Sequence, residues 1–180
     1  IGNKCTIIGP CRIKDSVIGD SCEIVMSQIV ECELKEGVKV GPYSNLRPGC
    51  ILAPKVKVGD FVELKNAKVD EGTKIPHLSY VGDAVLGKNI NIGAGTIFVN
   101  YDGYHKHQTV VEDNAFIGCN SNLVAPVTVR AGSFIAAGST ITKEVPEDAL
   151  AIARARQENK LGWAKNRREK FKGGKNGDGK

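Results

Sequence analysis

The stretch Val40-Gly41-Pro42-Tyr43-Ser44-Asn45-Leu46-Arg47-Pro48-Gly49-Cys50-Ile51-Leu52-Ala53-Pro54-Lys55-Val56-Lys57-Val58-Gly59-Asp60-Phe61-Val62-Glu63-Leu64 decides the fold. A branched apolar residue returns at every sixth position: Val40, Leu46, Leu52, Val58, Leu64. A second run, Ile117, Leu123, Val129, Ile135, Ile141, keeps the same step, and shorter runs (Ile1, Ile7, Ile13; Ile18, Ile24, Val30; Leu86, Ile92, Phe98) follow it with slips between them. A period of six is not helical, where apolar residues recur at three, four and seven, and it is too regular for hairpins with varied turns. It predicts a short strand plus a corner, three units closing a triangular coil of about eighteen residues that stacks on the next. Residues 1–150 then make about eight coils.

Four positions after the anchors comes a small or β-branched residue: Ser44, Cys50, Val56 and Val62 in the first run, Ser121, Val127, Ser133 and Ser139 in the second. Cys5, Cys11 and Cys22 fall in the same slot, so four of the six cysteines read as core fillers. No C-x-x-C pair is present, which weakens zinc and disulfide readings and suits a reducing cytoplasm. Apolar content is 41%, aromatics only 6%, and glycines number 21 in 180 residues, a balance for a turn-rich all-β chain and against a helical bundle. No window approaches a membrane span and no signal-peptide pattern opens the chain. The chain starts inside the repeat at Ile1-Gly2 without a Met, and reads as part of a longer polypeptide.

Two places break the period. Asn100 to Thr109 lacks anchors and reads as a loop extruded from a coil, where function often sits. After Val145-Pro146 the repeat stops, so the expected division is a β-helix over 1–147 and a basic arm over 148–180. Asp148 to Lys172 is predicted as a helical arm able to cap the stack, and Gly173 to Lys180 as flexible tail. Residues 151–180 hold ten Lys/Arg against three Asp/Glu, whereas the rest is slightly acidic; a nucleic-acid-binding face along the whole chain is not indicated.

The polar residues become specific between Ile75 and Tyr101, where His77, Tyr80, Asn91 and Asn100 stand among glycines. A lone histidine in a turn is more often structural than catalytic, so the case for His77 rests on its neighbours. Arg47 and Lys65, eighteen apart, stack at one face in the coil reading; two stacked cations repel, and an anion such as phosphate relieves them. Cys119 and Ala137, also eighteen apart, leave a shallow groove suited to a thin ligand such as a pantetheine arm.

The hexapeptide period resembles that of the left-handed parallel β-helix, and the resemblance supplies the handedness. The ordered set Arg47-Pro48-Gly49, Phe61-Val62-Glu63-Leu64-Lys65, His77-Leu78-Ser79-Tyr80-Val81-Gly82-Asp83-Ala84, Asn91-Ile92-Gly93-Ala94-Gly95-Thr96, Asn100-Tyr101-Asp102-Gly103 and Leu123-Val124-Ala125-Pro126-Val127 resembles more narrowly the acetyltransferase domain of the bacterial bifunctional uridylyltransferase/acetyltransferases that make UDP-N-acetylglucosamine. The resemblance implies N-acetylation of glucosamine 1-phosphate by acetyl-CoA, with no metal, in a pathway feeding cell-wall and lipopolysaccharide synthesis. It makes His77 the general base, sets Arg47 and Lys65 on the sugar phosphate and Tyr80 and Asn91 on the sugar, and lays acetyl-CoA along Ala94, Asn100, Tyr101, Cys119, Ala137 and Arg154, with Lys106 near the ligands. Backbone N–H groups of Gly93-Ala94-Gly95 would steady the oxyanion. Such relatives usually carry Ser where Cys119 stands, and a thiol is the weaker donor. They are homotrimers with sites between subunits, and nothing here matches their uridylyltransferase domain.

Three other readings exist on the same repeat. An O-acetyltransferase for another small metabolite has a hydroxyl nucleophile and no need of the Arg47 and Lys65 pair. A zinc carbonic anhydrase gathers three histidines, but only His77 lies in the coils, with His105 and His107 in the loop. A non-catalytic binding module repeats one exposed residue type along a face, and no such ladder is evident.

Overall fold

The computed structural model describes residues 1–172; the predicted tail over 173–180 lies outside them. All the strands pair in parallel and form a three-faced solenoid. The first face stacks nine strands, from Thr6–Ile8 through Lys39–Val40, Lys57–Asp60, Lys74–His77 and Asn91–Ile92 to Leu150–Ala151. Nine turns, and not eight, result because several coils are shorter than eighteen residues. Glu23 pairs with Lys39 and Lys57 with Lys74, steps of sixteen and seventeen, while Asn45 to Glu63 keeps eighteen.

Each face contributes one buried column. On the first it is Ile24, Val40, Val58, Ile75, Ile92, Ile117 and Ile135; on the second Ile29, Leu46, Leu64, Val81, Phe98, Leu123 and Ile141. Each such side chain contributes about 1.5–3 kcal/mol by leaving water, realised only when the neighbouring coils are present. Small polar residues of the second slot are buried without penalty because they bond to corner carbonyls: Ser44 Oγ donates to Gly59 O at 2.5 Å, Ser121 Oγ to Gly118 O at 2.6 Å. Cys22 and Cys50 are buried and Cys5 and Cys11 pack partly on the core, as the slot predicts; Cys32, outside the predicted set, is buried as well.

The loop extends one coil to twenty-five residues, since Asn91 pairs with Phe116 and Ala84 with Thr109. Where the chain re-enters, Thr109 Oγ1 is the one buried side-chain polar atom without a partner among the described residues.

The arm differs from its prediction. Leu150 and Ala151 still pair with Phe134 and Ile135, so the stack continues past 147. The helix is confined to Trp163–Lys172 and buries no residue, so within one chain it does not cap the prism. Its composition gives the reason: five Lys/Arg leave too few apolar residues for a stripe, and Arg167 lies over both the Trp163 and Phe171 rings, 5.3 and 5.2 Å from their centroids.

Candidate active site

The corner after the first face carries His77. Lys57 pairs with Lys74 and Asp60 with His77, which sets the Asp60 carboxylate directly below the imidazole; Nδ1 of His77 lies 2.5 Å from Asp60 Oδ1. The coils approach so closely here that a Cβ on Gly59 would stand 1.9 Å from Pro76 O. The His77 side chain is 59% exposed, so it faces solvent and not the dry interior. The contact with His77, above all, holds the Asp60 carboxyl below its usual range.

Upward in the same column the residues become small. Continuing the Lys74–Asn91, Asn91–Phe116 and Phe116–Phe134 registers by three residues gives His77, Ala94, Cys119 and Ala137, one above another. Cys119 and Ala137 are exposed and Ala94 is half-buried. Gly93 and Gly118 floor this track, and a Cβ on either would meet backbone nitrogen at 2.5 Å. The stacked rings of Phe116 and Phe134, centroids 4.4 Å apart, stand on the same face. Arg154 reaches the upper end, its Cδ 3.7 Å from where a Cβ of Gly138 would sit. The N–H groups of Gly93 and Gly95, expected to face an oxyanion, instead donate to Ile117 O and Leu78 O and tie coils together. Of the three only the Ala94 N–H makes no backbone bond among the described residues.

On the second face, one corner beyond His77, Leu46 pairs with Leu64 and Lys65 with Gly82, so Arg47 and Lys65 occupy one column. Arg47 Nη1 donates to Glu63 Oε1 at 2.8 Å, which orients the guanidinium. Above them Gly82 is required for space, because a Cβ would lie 2.4 Å from Tyr80 Oη and 2.7 Å from Asn100 Nδ2. Asn100, buried, donates from Nδ2 to Asp83 Oδ2 at 2.5 Å and lies 3.4 Å from Tyr80 Oη; Asn66 Nδ2 donates to Asp83 Oδ1 at 2.7 Å. Burial works against the Asp83 charge, but the Asn66 and Asn100 donors and the nearby Lys65 and Lys106 outweigh it, so its pKa is lowered.

The loop is shaped by Asp102. Its carboxylate accepts from the N–H groups of Tyr104 and His105 at 2.7 and 2.6 Å and meets His107 Nε2 at 2.7 Å. Tyr101 bridges Lys106 in antiparallel fashion and donates its hydroxyl to Gly103 O. The result returns Lys106 to the second face, close enough to Lys65 that the two ammonium groups push the Lys106 pKa down. Arg47, Lys65 and Lys106 thus gather near Tyr80, where Glu63 and Asp83 offset two of the three charges and the surplus positive charge favours an anion.

Asn91 is not brought to this cluster. It pairs with Lys74 on the first face, around the corner from Lys65. His105 and His107 stay in the loop, and no group of three or more His, Cys, Asp or Glu is placed to hold a metal among the described residues. The sequence reading did not single out Asp60, Asn66 or Asp83. Asp60 precedes His77 by seventeen positions and Asn66 precedes Asp83 by the same step, a signal hidden by an assumed coil of eighteen.

Residues 9–87 match the family profile described as GlmU-like, C-terminal hexapeptide, and residues 108–143 the bacterial transferase hexapeptide (six repeats). The chain is 58% identical over 159 residues to the Bifunctional protein GlmU of Caldicellulosiruptor saccharolyticus, covering 88% of this chain and 34% of that protein. It is 54% identical over 165 residues to that of Listeria monocytogenes, covering 92% and 36%. The chain therefore spans about a third of the length of these curated relatives. A Francisella novicida UDP-N-acetylglucosamine acyltransferase shares the fold, with a TM-score of 0.63 at 17% identity over 83% of this chain and 63% of that one. With ordered matches along most of its length, the chain is similar to the C-terminal hexapeptide part of the bifunctional GlmU proteins.

Proposed function

We propose that the chain transfers the acetyl group of acetyl-CoA to the amine of glucosamine 1-phosphate, in the cytoplasm, on the way to UDP-N-acetylglucosamine and the cell wall. The observation that carries this reading is the return of Lys106 to Lys65 above Arg47, three cations beside Tyr80 and one corner from an exposed imidazole. Arg47, Lys65 and Lys106 hold the sugar phosphate, and Tyr80 orients the ring. An amine is mostly protonated at neutral pH and attacks only after losing a proton, which His77 takes as general base.

Acetyl-CoA supplies the acyl thioester. The small exposed track of Ala94, Cys119 and Ala137 fits its narrow arm, with Arg154 at the end where the nucleotide phosphates lie. Asn100 and Tyr101 lie one corner away, on the second face, and meet that path only if a neighbouring copy supplies one of the two corners; Ala94 N–H is the donor left for the oxygen that gains charge. Asn91, on the first face, reaches a sugar held at the second face if the two faces come from neighbouring copies. A homotrimer with sites between subunits meets that requirement, with the prism running on to Ala151 and the helix Trp163–Lys172 lying beyond it.

The test is substrate dependence. With acetyl-CoA and purified protein, glucosamine 1-phosphate should be acetylated, glucosamine should react far more slowly for lack of the phosphate, and N-acetylglucosamine 1-phosphate should not react. Acetylation of the last at a hydroxyl would instead support the O-acetyltransferase reading.

A further inference from the structure

We infer that Asp60 is a positioning residue for His77, fixing the imidazole so that Nε2 is the nitrogen that accepts a proton; the inference rests on the proposed role of His77 as base. Three observations carry it. First, register leaves the pair no freedom to drift: Asp60 and His77 are direct partners in adjacent parallel strands, and the Gly59 and Pro76 backbones touch beneath them. Second, the contact is specific to one ring nitrogen, Nδ1 at 2.5 Å from Oδ1, while Nε2 has no protein partner among the described residues. Third, the column changes chemistry around this pair. Below it stands Pro42, by the register of Lys39 with Lys57, and above it Ala94, so among the described residues of that corner Asp60 is the one carboxylate next to the imidazole.

The chemical consequence follows from what each group can donate. A carboxylate held in its ionised form only accepts, so the proton of a neutral imidazole must sit on Nδ1, leaving the lone pair on Nε2. Unrestrained, a half-exposed imidazole rotates about χ2 and exchanges tautomers, and only part of the population then presents a basic nitrogen to the amine. When Nε2 takes the amine proton, the ring becomes a cation whose charge lies beside the Asp60 carboxylate, which stabilises it during the step. The proton passes from nitrogen of the amine to Nε2; Asp60 stays ionised throughout, as in other carboxylate–imidazole pairs. His107 and Asp102 repeat the contact in the loop with the opposite nitrogen, Nε2, and so leave Nδ1 free; that pair is a loop clasp, and it provides an internal contrast.

The experiment combines nitrogen-15 NMR of the histidines with kinetics of Asp60→Asn and Asp60→Ala. At alkaline pH, where imidazoles are neutral, the parent should show His77 with a protonated Nδ1 and an unprotonated Nε2, and His107 with the reverse. Both variants should lower kcat by roughly 10- to 100-fold, the range for groups that hold an imidazole through its second nitrogen, with the KM values for both substrates unchanged. In Asp60→Ala the His77 spectrum should move to mixed tautomers. Asp60→Glu, which restores the charge, should recover part of the rate. A parent His77 protonated on Nε2, or an unchanged kcat in both variants, overturns the inference. If the parent does not acetylate glucosamine 1-phosphate, the proposed reaction fails, while the tautomer spectrum still decides the pairing.

Discussion

Two columns two residues apart behave differently along the first face. The inner one reads Val40, Val58, Ile75, Ile92, Ile117 and Ile135, while the corner beside it reads Pro42, Asp60, His77, Ala94, Cys119 and Ala137. The inner column repeats one chemistry because each coil completes its neighbour's core, so many residues specify the same thing. The corner changes at every coil, and each change matters once. Stability is therefore distributed and chemistry is local, which the following substitutions separate.

The largest effect is expected at the corner: His77→Ala should lower kcat by roughly 10²- to 10⁴-fold with thermal unfolding unchanged, since the ring is exposed. Two residues earlier the balance reverses. Ile75→Ala should cost about 2–5 kcal/mol in denaturant unfolding and leave the KM values of the folded protein as they were. A catalytic loss without a stability loss in Ile75→Ala would erase the distinction.

On the second face, Lys65→Ala removes a charge-assisted contact worth about 1.5–3 kcal/mol, so the KM for glucosamine 1-phosphate should rise by roughly 10- to 100-fold, with the acetyl-CoA KM little changed. Smaller effects are expected from the loop. Asp102 has a lowered pKa because the His105 N–H, His107 and the Tyr104 N–H stabilise its charged form. A depressed carboxyl pKa means that the clasp is fully present above the ordinary carboxylate range and is lost as pH falls through the folded value. The Asp102 carboxyl should thus stay ionised from neutral pH down to about pH 4 and take up its proton only in stronger acid, as read from its carboxyl carbon resonance. Asp102→Asn should raise the KM several-fold at neutral pH by releasing Lys106. The least change is expected at Cys119: a bulky alkylating reagent should inhibit, and acetyl-CoA should protect. Cys22, Cys32 and Cys50 are buried and should react slowly.

The inner column was legible because its step of six resumes after each slip, and Arg47 over Lys65 was legible because that coil keeps eighteen residues. Shorter coils hid the rest. The turn from Asp60 to His77 has seventeen residues, and the polar pair is visible only when the register is known. Leu150–Ala151 is hidden because Ala151 fills an anchor slot without a branched side chain, and the composition from Asp148 onward suits a helix although the helix starts at Trp163. That the loop comes back to Lys65 depends on the Asp102 clasp, a network of three contacts that spacing does not encode.

The most direct measurement is the mass-resolved product of acetyl-CoA with glucosamine 1-phosphate, for the parent, His77→Ala and Arg47→Ala. Turnover by the parent, a kcat defect at His77 and a KM defect at Arg47 are predicted. Parent-level turnover in His77→Ala, or no product from the parent, would contradict the account.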